Sequence, residues 1–271
     1  MKKISLYSIV TFLICTFVTS CGNPLIIKLT DGMFTFTVSF NSMGGTHVDS
    51  IRGLNRGTAI NAPANPTSGY GTFAGWYSNS GRTNLYTFGT PITGNITLYA
   101  SWTPTYNIGD TGPGLGKIFY RSELGFPLYT GSTPGDYSFV TAHYLEAWTS
   151  IGMAVYPWQS AGNDIPGTGT VIGMGLKNSN IIDAHSDYTF AATDCVSITR
   201  GGMTDWFLPS RDELNELYNQ KIPVGIPSDS YWSSSQASIS QAWYQDITTG
   251  VQAIDFKDSG PGHNISPIRA F

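Results

Sequence analysis

Charge is scarce in this 271-residue chain: Asp, Glu, Lys and Arg together make up only 12% of it, about half the usual quarter of a soluble protein. With 13% aromatic residues, that scarcity excludes intrinsic disorder, which needs the opposite balance. It also excludes a coiled coil, whose composition is dominated by Ala, Glu, Lys and Leu. Basic residues number 14 against 18 acidic ones, for a formal net charge of −4. Nucleic acid is therefore not expected as a partner, because phosphate binding needs a basic surface. Cysteine is scarce too, and three of them cannot build a disulfide framework. Catalytic signatures are missing: there is no His-Glu-x-x-His and no Gly-x-Ser-x-Gly. The glycine-rich run Gly109–Lys117 fails as a phosphate loop, since Thr111 stands where the first Gly is required and Ile118 follows Lys117. Asp183-x-His185-x-Asp187 has the outline of a calcium loop, but Tyr188 occupies the position where the turn demands Gly. No cofactor and no metal are expected. What is abundant is 31 Gly and 15 Pro, with Thr, Ser and Tyr between them, a composition of strands and turns.

Long apolar runs are absent beyond the first 20 residues. At the start, Lys2 and Lys3 precede an almost unbroken apolar stretch, Ile4–Val18, too short and wrongly flanked for a spanning helix. It ends in Val18-Thr19-Ser20-Cys21, which resembles the bacterial lipobox. The resemblance implies a lipoprotein signal peptide over residues 1–20, a lipid-bearing Cys21 and a tether over residues 21–33. Three acyl chains are enough for stable anchoring to a membrane. The implied location is the cell envelope, on the outer membrane and exposed at the surface, since Gly22-Asn23 carries no inner-membrane retention signal. Cleavage would remove two of the 14 basic residues, leaving a formal charge of about −6, and would leave Cys195 as the one free thiol.

From residue 34 the pattern changes. Phe34–Phe40 alternates apolar and polar residues, a half-buried strand. Asn41–Gly45 supplies turn chemistry, and Thr72–Tyr77 and Ile96–Trp102 are two further strand candidates. Val38-Ser39-Phe40-Asn41, Gly44-Gly45, Pro66-Thr67, Gly69-Tyr70, Phe73-Ala74-Gly75-Trp76-Tyr77, Phe88, Pro91 and Leu98-Tyr99-Ala100-Ser101-Trp102 resemble one copy of the Listeria–Bacteroides repeat, the B-repeat of internalins. The resemblance covers residues 34–103, with Gly71 as an apparent extra residue that lengthens a turn. It implies a β-grasp-like module serving as spacer or interaction unit. Trp76, Tyr77, Tyr99 and Trp102 alternate along strands and are read as core rather than as a sugar platform.

Residues 103–105 read as a linker, and residues 106–271 as a second domain with sixteen acidic residues against eight basic ones. Ser210 followed by Glu213 is a capping box that starts a helix, with Leu214, Leu217 and Tyr218 on its apolar face. A weaker helix is expected over Ser179–His185, and strands over Ser230–Ser234, Ala242–Ile247, Val251–Phe256 and Ile265–Phe271. Ile108–Pro113, Ile118-Phe119-Tyr120, Thr204–Ser210, Glu213-Leu214, Tyr231–Ser235, Ala242–Gln245 and Ile268–Phe271 resemble the C-terminal domain of the Legionella collagen-like adhesin; residues 130–170 depart from it. The resemblance implies a C-type-lectin-like fold, related to formylglycine-generating enzymes and to hypervariable receptor-binding proteins. It implies ligand binding at the cell surface, the ligand being a glycan, host matrix or a protein. The fold class expected for the whole chain is mostly β and α+β.

In such folds the motif residues form the frame, so Trp206, Trp232, Trp243 and Phe271 are assigned to it, with Arg269 as a buried partner for an acidic residue. The ligand candidates lie between the motifs: Gln236, Ser238, Tyr244, Asp246, Gln252, Asp255, Asp258 and His263. Tyr244 leads them, because Tyr binds ligands at low entropy cost. Calcium-dependent sugar motifs, Glu-Pro-Asn and Trp-Asn-Asp, are absent. Two other functions stay open: an enzyme related to the formylglycine-generating type, and a structural periplasmic lipoprotein. A single thiol in the mature domain weighs against the first, and Cys195 beside Asp194 reads as buried and inert.

Overall fold

A computed structural model describes residues 35–149, 155–160, 162–186, 188, 190–260 and 262–271. The signal segment, Cys21, the tether, Phe34 and Asp187 lie outside these residues. The described chain is mostly β with a few short helices, an α+β architecture. It packs as two compact units.

The smaller unit holds residues 35–38, 50–61 and 87–96. Strand β2 (Ile51–Leu54) pairs antiparallel with the start of β1 (Phe36–Asn41), Val38 facing Ile51. Two loops zip together through Gly57 N to Ile92 O at 2.7 Å and Ile92 N to Thr58 O at 2.8 Å. Val38, Ile60 and Ile92 are buried and form its apolar centre.

The larger unit holds residues 39–49, 62–86 and 97–271. In its first part β3 (Gly71–Tyr77) pairs antiparallel with β4 (Ile96–Pro104). Phe40, Phe73, Trp76 and Trp102 meet edge to face, with centroids 4.9–5.6 Å apart. Trp76 and Trp102 are core, whereas Tyr77 and Tyr99 are only partly buried. Gly71 closes the turn that begins at Ser68. A Cβ there would lie 2.0 Å from the Thr103 carbonyl oxygen, so no other residue fits.

The chain does not part at residues 103–105. Tyr70 stacks on Tyr144 at 5.7 Å, and Tyr144 stacks on Phe271 at 5.4 Å. The amide of Thr105 donates to the Tyr144 hydroxyl at 3.0 Å. Strands β5 (Lys117–Tyr129), β6 (Phe139–Ala147) and β12 (Ile268–Ala270) form an antiparallel sheet in the order β12-β6-β5. A five-stranded sheet has the order β10-β9-β8-β11-β7, made of β7 (Val155–Tyr156), β8 (Ser230–Gln236), β9 (Gln241–Asp246), β10 (Gln252–Phe256) and β11 (His263–Asn264).

Among the described residues four helices complete this part: α1 (Gly175–Ala184), α2 (Ala191–Ser197), α3 (Arg211–Asn219) and α4 (Lys221–Val224). The capping box opens α3: Ser210 N donates to Glu213 Oε2 at 2.6 Å and Glu213 N to Ser210 Oγ at 3.3 Å. Leu214 and Leu217 of α3 enter a core with Phe119, Leu145, Phe207 and Ile268. A second core joins Trp158, Ile181, Ile182, Leu208, Trp232 and Cys195. Trp206 and Trp232 are buried, as a frame requires, but Trp243 and Phe271 keep part of their surface exposed.

Candidate functional site

β8 and β9 pair antiparallel with Trp232 opposite Tyr244, and β9 and β10 with Tyr244 opposite Ala253. Because side chains alternate along a strand, Trp232, Tyr244 and Asp255 share one face of the sheet. β11 runs parallel beside β8 and adds His263 to that face. Its imidazole stacks on Tyr244 at 4.1 Å and meets the edge of Trp232 at 4.3 Å. Nδ1 lies 2.7 Å from Ser230 Oγ, and Nε2 lies 3.1 Å from Asp255 Oδ2. Burial lowers the pKa of His263, with Asp255 opposing it. The neutral ring then accepts from the Ser230 hydroxyl at Nδ1 and donates from Nε2 to Asp255. Asp255 also accepts from Ser259 Oγ at 3.1 Å and from its neighbour's amide, Phe256 N, at 2.7 Å.

Serine, imidazole and carboxylate in a chain have the outline of a nucleophile with its base. Acyl transfer also needs donors aimed at a developing oxyanion. Here the Ser230 amide already donates to the Asp229 carboxylate at 2.8 Å, which adds negative charge beside the hydroxyl. The chain of hydrogen bonds instead fixes His263, and His263 fixes the ring of Tyr244.

Three of the eight candidates, Tyr244, Asp255 and His263, are thus brought together. The other five lie apart. Gln236, at the end of β8, is engaged through both ends of its amide, accepting from Ile165 N at 2.8 Å and donating to Asp164 Oδ1 at 2.8 Å. Ser238 sits in the β8–β9 turn, its Oγ accepting from Ser240 N. Asp246 caps the β9–β10 turn through Thr248 N and Thr249 N, which hold its carboxyl below the usual range. Gln252 donates to the Arg211 carbonyl at 3.0 Å. Asp258 is exposed in the turn after β10.

The opposite face of the same ribbon carries residues that sequence reasoning missed. Ile254 pairs with Trp243 and Phe256 with Gln241. Ile254 is 44% exposed and Phe256 is 56% exposed, while the Arg211 guanidinium lies over the Trp243 ring at 5.2 Å. On β10 the carboxylate of Asp255 joins the face of His263, and two large apolar side chains stand exposed on the other face. That alternation, Ile254-Asp255-Phe256, is the signal that could have found it. Ser230 and Trp232 were also not singled out as ligands of the imidazole. No group of three or more His, Cys, Asp or Glu side chains able to hold a metal ion occurs among the described residues.

Residues 36–101 match the Listeria-Bacteroides repeat domain. The match therefore runs from the start of β1 into β4. Two curated relatives come from Evansella cellulosilytica. One, named "Putative membrane protein", is 40% identical over 68 residues, which is 25% of this chain and 10% of the relative. The other, named "Putative Gly-rich membrane protein", is 37% identical over 140 residues, 51% of this chain and 15% of the relative. The chain spans only these small shares of both relatives. Among the described residues no helix is long and apolar enough to cross a membrane.

Proposed function

We propose that the chain is a lipid-anchored cell-envelope protein that displays a non-enzymatic binding domain at the surface. The Listeria-Bacteroides repeat, the membrane-protein names of its relatives and the lipobox-like Val18–Cys21 all support the envelope. In this reading Cys21 carries the lipid, the repeat is a spacer, and residues 106–271 form a C-type-lectin-like domain. The meeting of β5 and β12, the first and last strands of that region, in one sheet supports such a fold.

The observation that carries the binding reading is the outward placement of Ile254 and Phe256 beside Trp243. Contiguous exposed apolar residues on a soluble surface mark interaction sites. A neutral glycan fits best: sugar rings stack on aromatic faces, Gln241 is at hand for hydroxyl groups, and an acidic domain repels sulfated chains. Host matrix and protein ligands are the other arms of the test. The full chain is applied to glycan, matrix-protein and cell-surface arrays, and binding to one class supports the reading. Silence on all three overturns it. The anchor is tested separately by palmitate labelling, which Cys21→Ser is expected to abolish, and by protease shaving of intact cells, which is expected to cut the protein.

A further inference from the structure

Lys257 follows β10 and is fully buried. Its Nζ donates to the Asn163 carbonyl at 2.6 Å and to Gln236 Oε1 at 2.5 Å, 4.9 Å from the ring centroid of Trp158. Among the described residues no ion pair involves it. An ammonium buried with no carboxylate in contact is costly, and desolvation brings the Lys257 pKa down to about 8 against the opposing charge of Asp164. Roughly a tenth of it is then the free amine at neutral pH. The partner amide is equally constrained. Gln236 Oε1 also accepts from Ile165 N at 2.8 Å, and Nε2 donates to Asp164 Oδ1 at 2.8 Å. With a carbonyl bond of about 1.2 Å, the amide carbon lies no more than about 3.7 Å from Nζ, near attack distance.

We propose that Lys257 and Gln236 join in an intramolecular isopeptide bond. The neutral Nζ attacks Cδ of Gln236, and the charge that develops on Oε1 is stabilised by the Ile165 amide. Asp164 takes a proton from the attacking nitrogen and returns it to Nε2, which leaves as ammonia. The Nζ–Cδ bond forms, the Cδ–Nε2 bond breaks, and nothing is oxidised or reduced. No co-reactant is needed. The product carries no charge, keeps its carbonyl for Ile165 and keeps one N–H for Asn163. It ties the end of β8 to the residue after β10, so the β9–β10 ribbon is braced at both margins. A surface protein under shear gains a cross-link that no reductant opens.

Peptide mapping of the full chain tests this. Cleavage before aspartates releases residues 229–245, which contain Gln236, and residues 255–257, which contain Lys257. The expected product is one branched peptide joining the two, about 17 Da lighter than their sum through loss of ammonia, with fragmentation placing the branch at Gln236. Lys257→Arg is expected to yield residues 229–245 and 255–257 only as separate linear peptides. Two separate linear peptides from the wild-type chain overturn the proposal. So does a loss of ammonia confined to one linear peptide.

Discussion

Arg269 Nη1 meets Glu146 Oε1 at 3.1 Å, where the carboxylate is fully buried. The Arg269 Nε reaches Asp205 at 2.5 Å. Glu146 in turn accepts Gly114 N at 2.9 Å and Gly116 N at 3.0 Å. One arginine near the C-terminus thus holds β6, the glycine-rich run and the loop before Phe207. The run that imitates a phosphate loop is an anion cradle filled by the protein's own carboxylate. A Cβ on Gly114 would lie 2.7 Å from Glu146 Oε1, which is why the run is built from glycine.

Arg269→Ala leaves Glu146 buried and unpaired. Breaking such a pair costs about 3–5 kcal/mol. A urea titration is expected to show that loss, with Arg269→Lys failing to recover it, because one ammonium cannot span both carboxylates in the geometry of the guanidinium.

Glu213 gives a pH dependence. Burial is the main cause that raises its pKa from 4.5 to about 7, against the amides of Ser210 and Gly173 that lower it. Between these values the folded chain holds a proton that the unfolded chain has released. The stability so contributed is fully present below pH 4.5 and is lost as pH rises through 7. The shift corresponds to roughly 3 kcal/mol. His263 works in the opposite sense, its lowered pKa withdrawing stability as pH falls. The difference between wild type and Glu213→Gln isolates the first effect: it is expected to shrink as pH rises from acid to neutral.

Cys195 is buried in the core of Trp158 and Trp232, and burial raises its pKa well above that of a free thiol, with Asp194 adding to it. A thiol reagent is expected to label it no faster than the chain unfolds, and at once in denaturant. Prompt labelling of the native protein would remove the inert reading.

Much of the fold was legible where side chains obey one period. β1, β3, β4, β9 and β10 alternate, β8 stands out by its aromatic pair Tyr231-Trp232 between turn residues, and α3 announces itself through Ser210 and Glu213. β6 was not legible, because Ala142–Ala147 is buried on both faces and includes His143 and Glu146. β5 hides behind register shifts within Ile118–Phe126. The expected final strand over Ile265–Phe271 is narrower, Ile268–Ala270, because Pro267 lacks the amide a ladder needs. At the site, Tyr244 and His263 were chosen as ligands for their chemistry. Their contact depends on a β11 of two residues, too short for any pattern to reveal. Lys257 carried no signal in the sequence, since only the three-dimensional approach of Trp158 and Asn163 buries it.

The central claim is that the outward face of the β9–β10 ribbon binds the ligand. The direct measurement compares the full chain with Trp243→Ala/Phe256→Ser on the same glycan and matrix arrays, with thermal unfolding recorded for both. Removing two aromatic anchors is expected to cost about 2 kcal/mol or more, at least a thirtyfold loss of affinity, and Phe256→Ser alone, at a residue 56% exposed, is expected to weaken binding with the unfolding temperature little changed. Wild-type binding that persists undiminished in the double variant would contradict the account.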